Sequence, residues 1–413
     1  MIGRALAWRP GTLARNAAHG TAWNVARIAL QAISLITLAS LFGGEGYGVF
    51  AGTVALFATC APLVGLGTGV ALVRDGSRDS SVRAERLAST RTVYLISGFA
   101  LFWVAWAIGS FLLSDELTLV ALGALAFAEM FLVPALRPTA CWLQIQERMS
   151  AFGFVTSLPP MVRLAAALML LTQGAASVEN FALLYVALLA ITLATVTVGF
   201  HGREAFVPVR LSHLAFTREG LPYILPSVSL TASNEIDKTL VLQLAGAAAA
   251  GPYAAACRIA QAAVLPVSSL VLAASPRLFR GFRDGSGRRT FQALIVAVGA
   301  YSCLAAVALF FMAPMVPVIL GDDFIDAVGT LRILCLLVIT NSLRQVIMAG
   351  LTANDAQRYR NFVELLSVAA MVVPCLLLVP RLGVIGAPLS LIIADLAAIV
   401  AGGLSRYARV VGR

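Results

Sequence analysis

"LPYILPSVSLTASNEIDKTLVLQLAG", Leu221 to Gly246, is apolar at both ends and charged in the middle. It exceeds the roughly 20 residues that cross a hydrocarbon core of about 30 Å. Asn234, Glu235, Asp237 and Lys238 nevertheless fall within one helical turn, and Lys238 is the only lysine among 30 basic residues. On a helix, Asn234, Asp237, Lys238 and Val241 follow the i, i+3, i+4, i+7 spacing of one face. Glu235 and Lys238 lie three apart and can pair. The charges therefore partly neutralise one another, and the stripe is expected to face inward while Leu240 and Leu242 face lipid. On this reading the segment is a membrane span with a polar face, and the rest of the chain should be built of similar spans.

The surrounding composition agrees. Of 413 residues, 60% are hydrophobic and only 12% charged, against about half and a quarter in soluble domains. The mean hydropathy is +0.89. An integral membrane protein is implied, and a sizeable soluble domain is excluded. Twelve segments near 20 residues long are expected at about 20–41, 47–73, 93–113, 117–139, 151–171, 180–200, 222–245, 251–275, 292–314, 328–351, 362–379 and 384–404. No cleavable leader is expected, because the first 18 residues contain Arg4, Arg9 and Arg15 without an apolar run.

The connections sort by charge. Alternate ones hold 22 arginines, from Arg4 through Arg74, Arg148, Arg203, Arg277 and Arg358 to Arg413, whereas the other set holds Arg381 alone. Such a bias over short loops predicts cytoplasmic termini, in the inner membrane of a bacterium. Because the basic residues line loops, the net charge of +10 is not a sign of nucleic-acid binding. The outer connections, such as "SDE" (Ser114 to Glu116) and "GDDFIDAVG" (Gly321 to Gly329), are too short to hold a catalytic domain, so no enzyme is expected. The connection 201–221 and the N-terminal stretch "RALAWRPGTLARNAAHG" mix apolar and basic positions as interfacial helices do.

An internal repeat is also visible. Tyr47 and Tyr253 open spans two and eight, Arg74 and Arg280 close them, and "QERMSAF" (Gln146 to Phe152) resembles "AQRYRNF" (Ala356 to Phe362). The expected architecture is all-α and polytopic, with about 12 transmembrane helices in two pseudo-symmetric six-helix lobes around a central cavity. The lobes are 1–200 and 222–413, joined by the linker helix 201–221.

Charges inside spans are costly, about 2.5–3.5 kcal/mol each on insertion scales, and their default reading is functional. Arg27, Arg163, Lys238 and Arg258 lie deepest and are the candidate substrate-binding cations. They come from spans one, five, seven and eight and are expected to meet between the lobes. Asn234, Glu235, Asp237, Glu129 and Asp395 are candidates for pairing or ion coupling. Arg137 and Arg332 lie near span ends, where their head groups reach the interface. Glu364 lies at the cytoplasmic edge. Excess arginine in a low-dielectric cavity favours an anion, and its fork suits phosphate. Prolines break several spans, and "SLPPM" (Ser157 to Met161) is expected to interrupt span five. The six cysteines show no C-x-x-C spacing, so no metal site is expected and they read as small packing residues.

Two longer stretches carry a family resemblance. They are "GGEGYGVFAGTVALFATCAPLVGLGTGVALVRD" (Gly43 to Asp75) and "SNEIDKTLVLQLAGAAAAGPYAAACRIAQAAVLPVSSLVLAASPRLFR" (Ser233 to Arg280). In the second, an acidic residue precedes an aliphatic run, a short turn, Gly-x-Tyr and a closing Pro-Arg, here Asp237, Gly251, Tyr253, Pro276 and Arg277. The chain resembles the oligosaccharide and O-antigen flippases of the multidrug/oligosaccharidyl-lipid/polysaccharide (MOP) exporter superfamily. That resemblance implies alternating access of two lobes, with spans one and eight flanking a lateral opening. The implied substrate is an undecaprenyl-pyrophosphate-linked oligosaccharide, moved from the cytoplasmic to the periplasmic leaflet for surface polysaccharide biosynthesis. It implies no cofactor, but coupling to sodium ion, proton or membrane potential. The expected partners are lipid-linked oligosaccharide, membrane lipids, a polysaccharide polymerase and glycosyltransferases. The rival is a cation-coupled multidrug exporter of the same superfamily, whose cavity should be acidic and aromatic. A major facilitator transporter is disfavoured because "RDGSRDSSVR" (Arg74 to Arg83) misses that group's loop signature.

Overall fold

The computed structural model describes residues 12–174, 177–201, 216–283, 287–354 and 356–411. All of the secondary structure described is helical: α1 (Thr12–Cys60), α2 (Thr68–Arg78), α3 (Arg83–Leu113), α4 (Leu119–Phe127), α5 (Val133–Ala135), α6 (Arg137–Ile145), α7 (Met149–Gln173), α8 (Val178–His201), α9 (Thr217–Gly220), α10 (Ile224–Ala245), α11 (Ala247–Arg283), α12 (Gly287–Met312), α13 (Met315–Leu320), α14 (Ala327–Ala353), α15 (Gln357–Leu382) and α16 (Gly386–Val411). Nine stretches among the described residues are long and apolar enough to cross a membrane. Two of them, Val25–Arg78 and Gln357–Gly403, each contain two of the predicted spans. The predicted span at 222–245 is absent from the nine. It is the helix α10, which carries Glu235, Asp237 and Lys238. Its charges lower the hydropathy without preventing a helix of full span length. The protein is a multi-pass membrane protein.

The chain divides into two compact units. The first holds residues 1–41 and 60–224, the second 42–59 and 225–413. The chain bends where it passes between them. Gly43 breaks α1 with φ 67° and ψ −176°, a backbone region only glycine visits cheaply. Just after the second of the three crossings, Ala61–Gly67 forms a tight turn containing Pro62, with Gly65, Leu66 and Gly67 at positive φ. The Gly65 amide, which has lost its helical partner, donates to Ser97 Oγ at 2.8 Å, so the break is satisfied from α3.

In the first unit, Leu136, Ala140, Leu143, Val155, Leu158 and Val196 form one core cluster. A ring of four charges ties α9 to α2 and α3. Arg74 meets Asp75 at 2.6 Å and Glu219 at 2.6 Å, and Arg86 meets Glu219 at 3.1 Å and Asp75 at 3.8 Å. The Arg86 guanidinium also covers the Phe216 ring at 4.3 Å. In the second unit, Val267, Leu278, Phe291, Leu294, Val298 and Val346 pack together. There the opening of span two meets that of span eight, the two positions the repeat relates. Gly44 and Gly48 lie backbone to backbone with Ala247 and Gly251, and Thr239 Oγ1 donates to the Gly52 carbonyl at 2.7 Å.

Three local expectations need correction. The helix α7 runs unbroken through Pro159 and Pro160. Thr156 and Ser157 donate to carbonyls one turn back, at 3.0 and 2.8 Å, and proline's fixed φ suits a helix once its freed carbonyls are tolerated. The predicted span at 117–139 is not one regular helix either. It contains a π turn at Ala128–Leu132 and continues to Ile145. Leu242 faces protein rather than lipid, 1% exposed, because it packs on Gly52 of the same unit. The N-terminal stretch up to residue 11 and the linker residues 202–215 lie outside the described residues.

Candidate functional site

In the first unit, the π turn carries Glu129 into the protein, where it is 7% exposed. Such a turn adds one residue to the helix and re-aims the side chains after it, which is why it often marks a functional position. Glu129 Oε1 accepts from Arg163 of α7 at 2.6 Å and from the Tyr185 hydroxyl of α8 at 3.3 Å. The Arg163 guanidinium sits 5.5 Å from the Tyr185 ring centre. One carboxylate and one arginine thus neutralise each other across three helices. Arg27, on α1, belongs to the same unit and its side chain is exposed.

Lys238 and Arg258 belong to the second unit, in a network that links α10 to α11. Lys238 is 0% exposed. It donates to the Asn234 carbonyl and to Asp237 Oδ1 at 3.2 Å, and lies 3.5 Å from Glu235 Oε2. The i, i+3 pair foreseen for Glu235 and Lys238 is therefore present. Arg258 holds Glu235 in a two-bond fork, with both distances 2.9 Å, the strongest geometry available to this pair. Tyr253 donates its hydroxyl to Asp237 Oδ2 at 2.6 Å, and Gln261 donates to the Asn234 carbonyl at 3.1 Å. Two carboxylates face two cations, and each buried oxygen has a donor. Tyr253→Phe deletes the donor to a buried carboxylate and should cost about 1.5–3 kcal/mol of stability. Thermal melting of the purified protein checks this.

A third network lies on α14, α15 and α16. Arg344 donates to Glu364 at 3.2 Å, to Asp395 at 3.0 Å and to Ser367 Oγ at 3.3 Å. Thr340 adds a bond to the second Asp395 oxygen at 3.2 Å. All three charged side chains are under 8% exposed. Sequence reading placed Asp395 among the coupling candidates but left Arg344 ungrouped and set Glu364 at the membrane edge. Glu364 is instead 5% exposed. An intramembrane arginine with two acidic residues in neighbouring spans was the signal available, but nothing in residue spacing shows which of them meet. A cavity of about 610 Å³ inside the second unit is lined by both networks. Glu235, Asp237, Glu364 and Asp395 reach it, with Arg344, Arg360, Asn341 and Gln345. Arg332 is not part of this group; it lies 5.0 Å from the Phe310 ring centre.

Comparison with known proteins places this geometry. Similar structures include an inward-facing multidrug resistance MATE family transporter of the MOP superfamily, at 15% identity over 95% of each chain with a TM-score of 0.72. They also include an outward-facing transporter of that description, at 16% identity over 95% of this chain and 93% of that one, TM-score 0.59. A MOP superfamily transporter from Pyrococcus furiosus Vc1 matches at 16% identity over 94% and 93%, TM-score 0.62. At these identities the likeness shows the fold. No curated protein matches the sequence. Residues 13–282 match the family model described as "Polysaccharide biosynthesis protein". The match spans more than half of the chain and both charged networks on α7 and on α10 with α11, and the chain therefore belongs to this polysaccharide biosynthesis family, on the fold shared with the MOP superfamily transporters above.

Proposed function

We propose that the protein is a flippase, carrying undecaprenyl-pyrophosphate-linked oligosaccharide from the cytoplasmic to the periplasmic leaflet of a bacterial inner membrane. The observation that carries this reading is the family match, a polysaccharide-biosynthesis family on a transporter fold. The arginine-rich charge pattern supports it, since a pyrophosphate entering the membrane must exchange its hydration for fixed cations. Both termini lie in the cytoplasm on this reading, where the arginine-rich connections collect. Membrane glycosyltransferases supply the substrate and a polymerase consumes it. A cation-coupled multidrug exporter is the competing reading, and the cavity of the second unit favours it, since Glu235, Asp237, Glu364 and Asp395 outnumber Arg344 and Arg360 among its lining residues.

The four candidate cations differ in access. Arg258 keeps 37% of its side-chain surface exposed and Arg163 23%, whereas Lys238 has none. In the second unit Arg258 is accordingly the candidate for meeting phosphate oxygens, and in the first unit Arg27 is the exposed candidate, while Arg163 is held by Glu129. Lys238 acts indirectly, by neutralising Asp237 and Glu235 and keeping Arg258 positioned. A charge-assisted hydrogen bond contributes about 1.5–3 kcal/mol. Arg258→Ala should thus weaken substrate binding by roughly one to two orders of magnitude and cripple surface-polysaccharide export while the protein still inserts. Arg258→Lys should rescue only in part, because lysine lacks the fork. Arg358→Ala, exposed at the start of α15, is the control and should leave export unchanged. Normal export in both Arg27→Ala and Arg258→Ala cells would sink the anion-binding model.

A further inference from the structure

We propose that the helical segment 44–59 is a strap that docks on the second unit and undocks as a rigid rod, turning about two backbone joints, during the export cycle. The inference rests on the exporter reading and starts from how the chain is shared between the units. Residues 42–59 pack into the second unit, whereas the chain on either side, 1–41 and 60–224, packs into the first. A helix tied covalently to one unit and packed into the other must be jointed at both ends. Gly43 precedes it at φ 67°, and Gly65, Leu66 and Gly67 follow it at φ 77°, 47° and 72°. Leu66 matters most, because a side chain makes the left-handed region costly, and residues held there cluster at switch regions. From 44 to 60 the rod is regular helix, about 25 Å long at a rise of about 1.5 Å per residue.

The docking face suits an interface that opens. Gly44, Gly48 and Gly52 recur every four residues on one side of the rod. A Cβ on Gly48 would run into the Ala247 carbonyl, and one on Gly52 would lie 2.6 Å from Leu242 Cδ2. At these positions the rod offers a smooth backbone surface, with no side chain to interlock. The Gly44 amide donates to Asp323 Oδ2 at 3.1 Å, and Thr239 Oγ1 donates to the Gly52 carbonyl at 2.7 Å. The strap carries one charge, Glu45, which is exposed. The ion pairs described in the second unit lie instead on α10, α11, α14, α15 and α16. Undocking thus strands no buried charge, the cost that holds those other helices together.

One group on the rod is unsatisfied while it is docked. Thr53 is 0% exposed, and its Oγ1 has no hydrogen-bond partner among the described residues. Thr59, six residues on, donates to the Ala55 carbonyl at 2.8 Å in the ordinary helical way. A buried hydroxyl without a partner is costly, so docking carries a penalty that undocking relieves. Beyond the second joint the chain is fixed. Gly67 lies against the Gly220 carbonyl, and the ring of Arg74, Asp75, Arg86 and Glu219 ties α2 to α9 within the first unit. The rod is therefore the part that moves, while its anchor in the first unit stays in place.

The test uses the full chain in nanodiscs, with Thr53→Cys as a reporter whose labelling by N-ethylmaleimide is read by mass spectrometry of that peptide. A thiol at position 53 is shielded while the strap is docked and reacts when it undocks. Gly44→Cys combined with Asp323→Cys should close a disulfide across the docked interface. A Cβ on Gly44 would lie 3.0 Å from Asp323 Cβ, near the roughly 3.8 Å that a disulfide takes. Oxidation should slow labelling at position 53 by at least about tenfold, since the crosslink removes the undocked population, and reduction should restore it. Thr239→Val, which removes the bond to Gly52, should instead raise labelling about fivefold, the ratio that one hydrogen bond represents. If the paired cysteines keep the protein from inserting, Thr239→Val decides alone. In cells the oxidised pair should stop surface-polysaccharide export while each single cysteine keeps it. Labelling that is absent, or equal in the oxidised and reduced pair, overturns the proposal, and so does full export by the crosslinked protein. Labelling that the disulfide suppresses, in a protein whose unlinked form exports no polysaccharide, supports the strap and counts against the oligosaccharide substrate.

Discussion

Arg344→Leu is expected to be among the most destabilising single changes in the protein. Its guanidinium is the ion-pair partner of Glu364 at 3.2 Å and Asp395 at 3.0 Å, and removing it strands two carboxylates beneath the surface. Breaking a buried pair by deleting one partner costs about 3–5 kcal/mol, and here two carboxylates lose the same cation. The full-length variant should melt many degrees lower or fail to accumulate in the membrane. Arg344→Lys should recover only part of the loss, since an ammonium cannot span both carboxylates as the planar fork does. The triple variant Arg344→Met, Glu364→Gln, Asp395→Asn removes every charge at once. It should be more stable than Arg344→Leu, because the penalty comes from unpaired charge rather than from lost volume. Equal melting of the wild type and Arg344→Leu would mean that these contacts contribute nothing.

Gly251→Ala should be the other large effect. A methyl group built on Gly251 would run into the Gly44 carbonyl, with the Gly48 amide 3.2 Å away. Both obstacles are backbone, so no side chain can swing aside. Helices α1 and α11 must separate at this crossing. Overpacking typically costs about 1–3 kcal/mol, and a clash against rigid backbone belongs at the top of that range. Small residues at such crossings are what allow membrane helices to approach closely. Gly299→Ala on α12 is the comparison, since a Cβ there meets nothing within 4 Å. Alanine's better helix propensity should make that change neutral or stabilising by up to about 1 kcal/mol. Melting curves of the two variants side by side decide the matter, and equal curves would refute the packing argument.

Some of the site was readable along the chain. Glu235 and Lys238 are three residues apart, and their 3.5 Å contact follows from helix geometry alone. The Arg258–Glu235 fork was not readable in the same way, because it joins α10 to α11 across a turn containing Gly246 at φ 80°. That turn sets how the two helices lie side by side. Arg344, Glu364 and Asp395 come from three helices, and Glu129 reaches Arg163 only after a π turn has shifted it. Each depends on the rotation of one helix against another, which local spacing does not encode.

The sequence by itself determined where the chain forms membrane-length helices, including α10 despite its three charges. Hydropathy acts locally and adds over about 20 residues, so α10 keeps full span length although its charges lower the sum enough to leave it outside the nine apolar stretches. Only the tertiary structure decided that α7 runs through Pro159 and Pro160, that Leu242 packs on Gly52, and which acid meets which arginine. Those outcomes depend on helix rotation and close approach, which are set by the summed packing of neighbours distant in sequence. A buried charge takes the partner that this packing brings within reach.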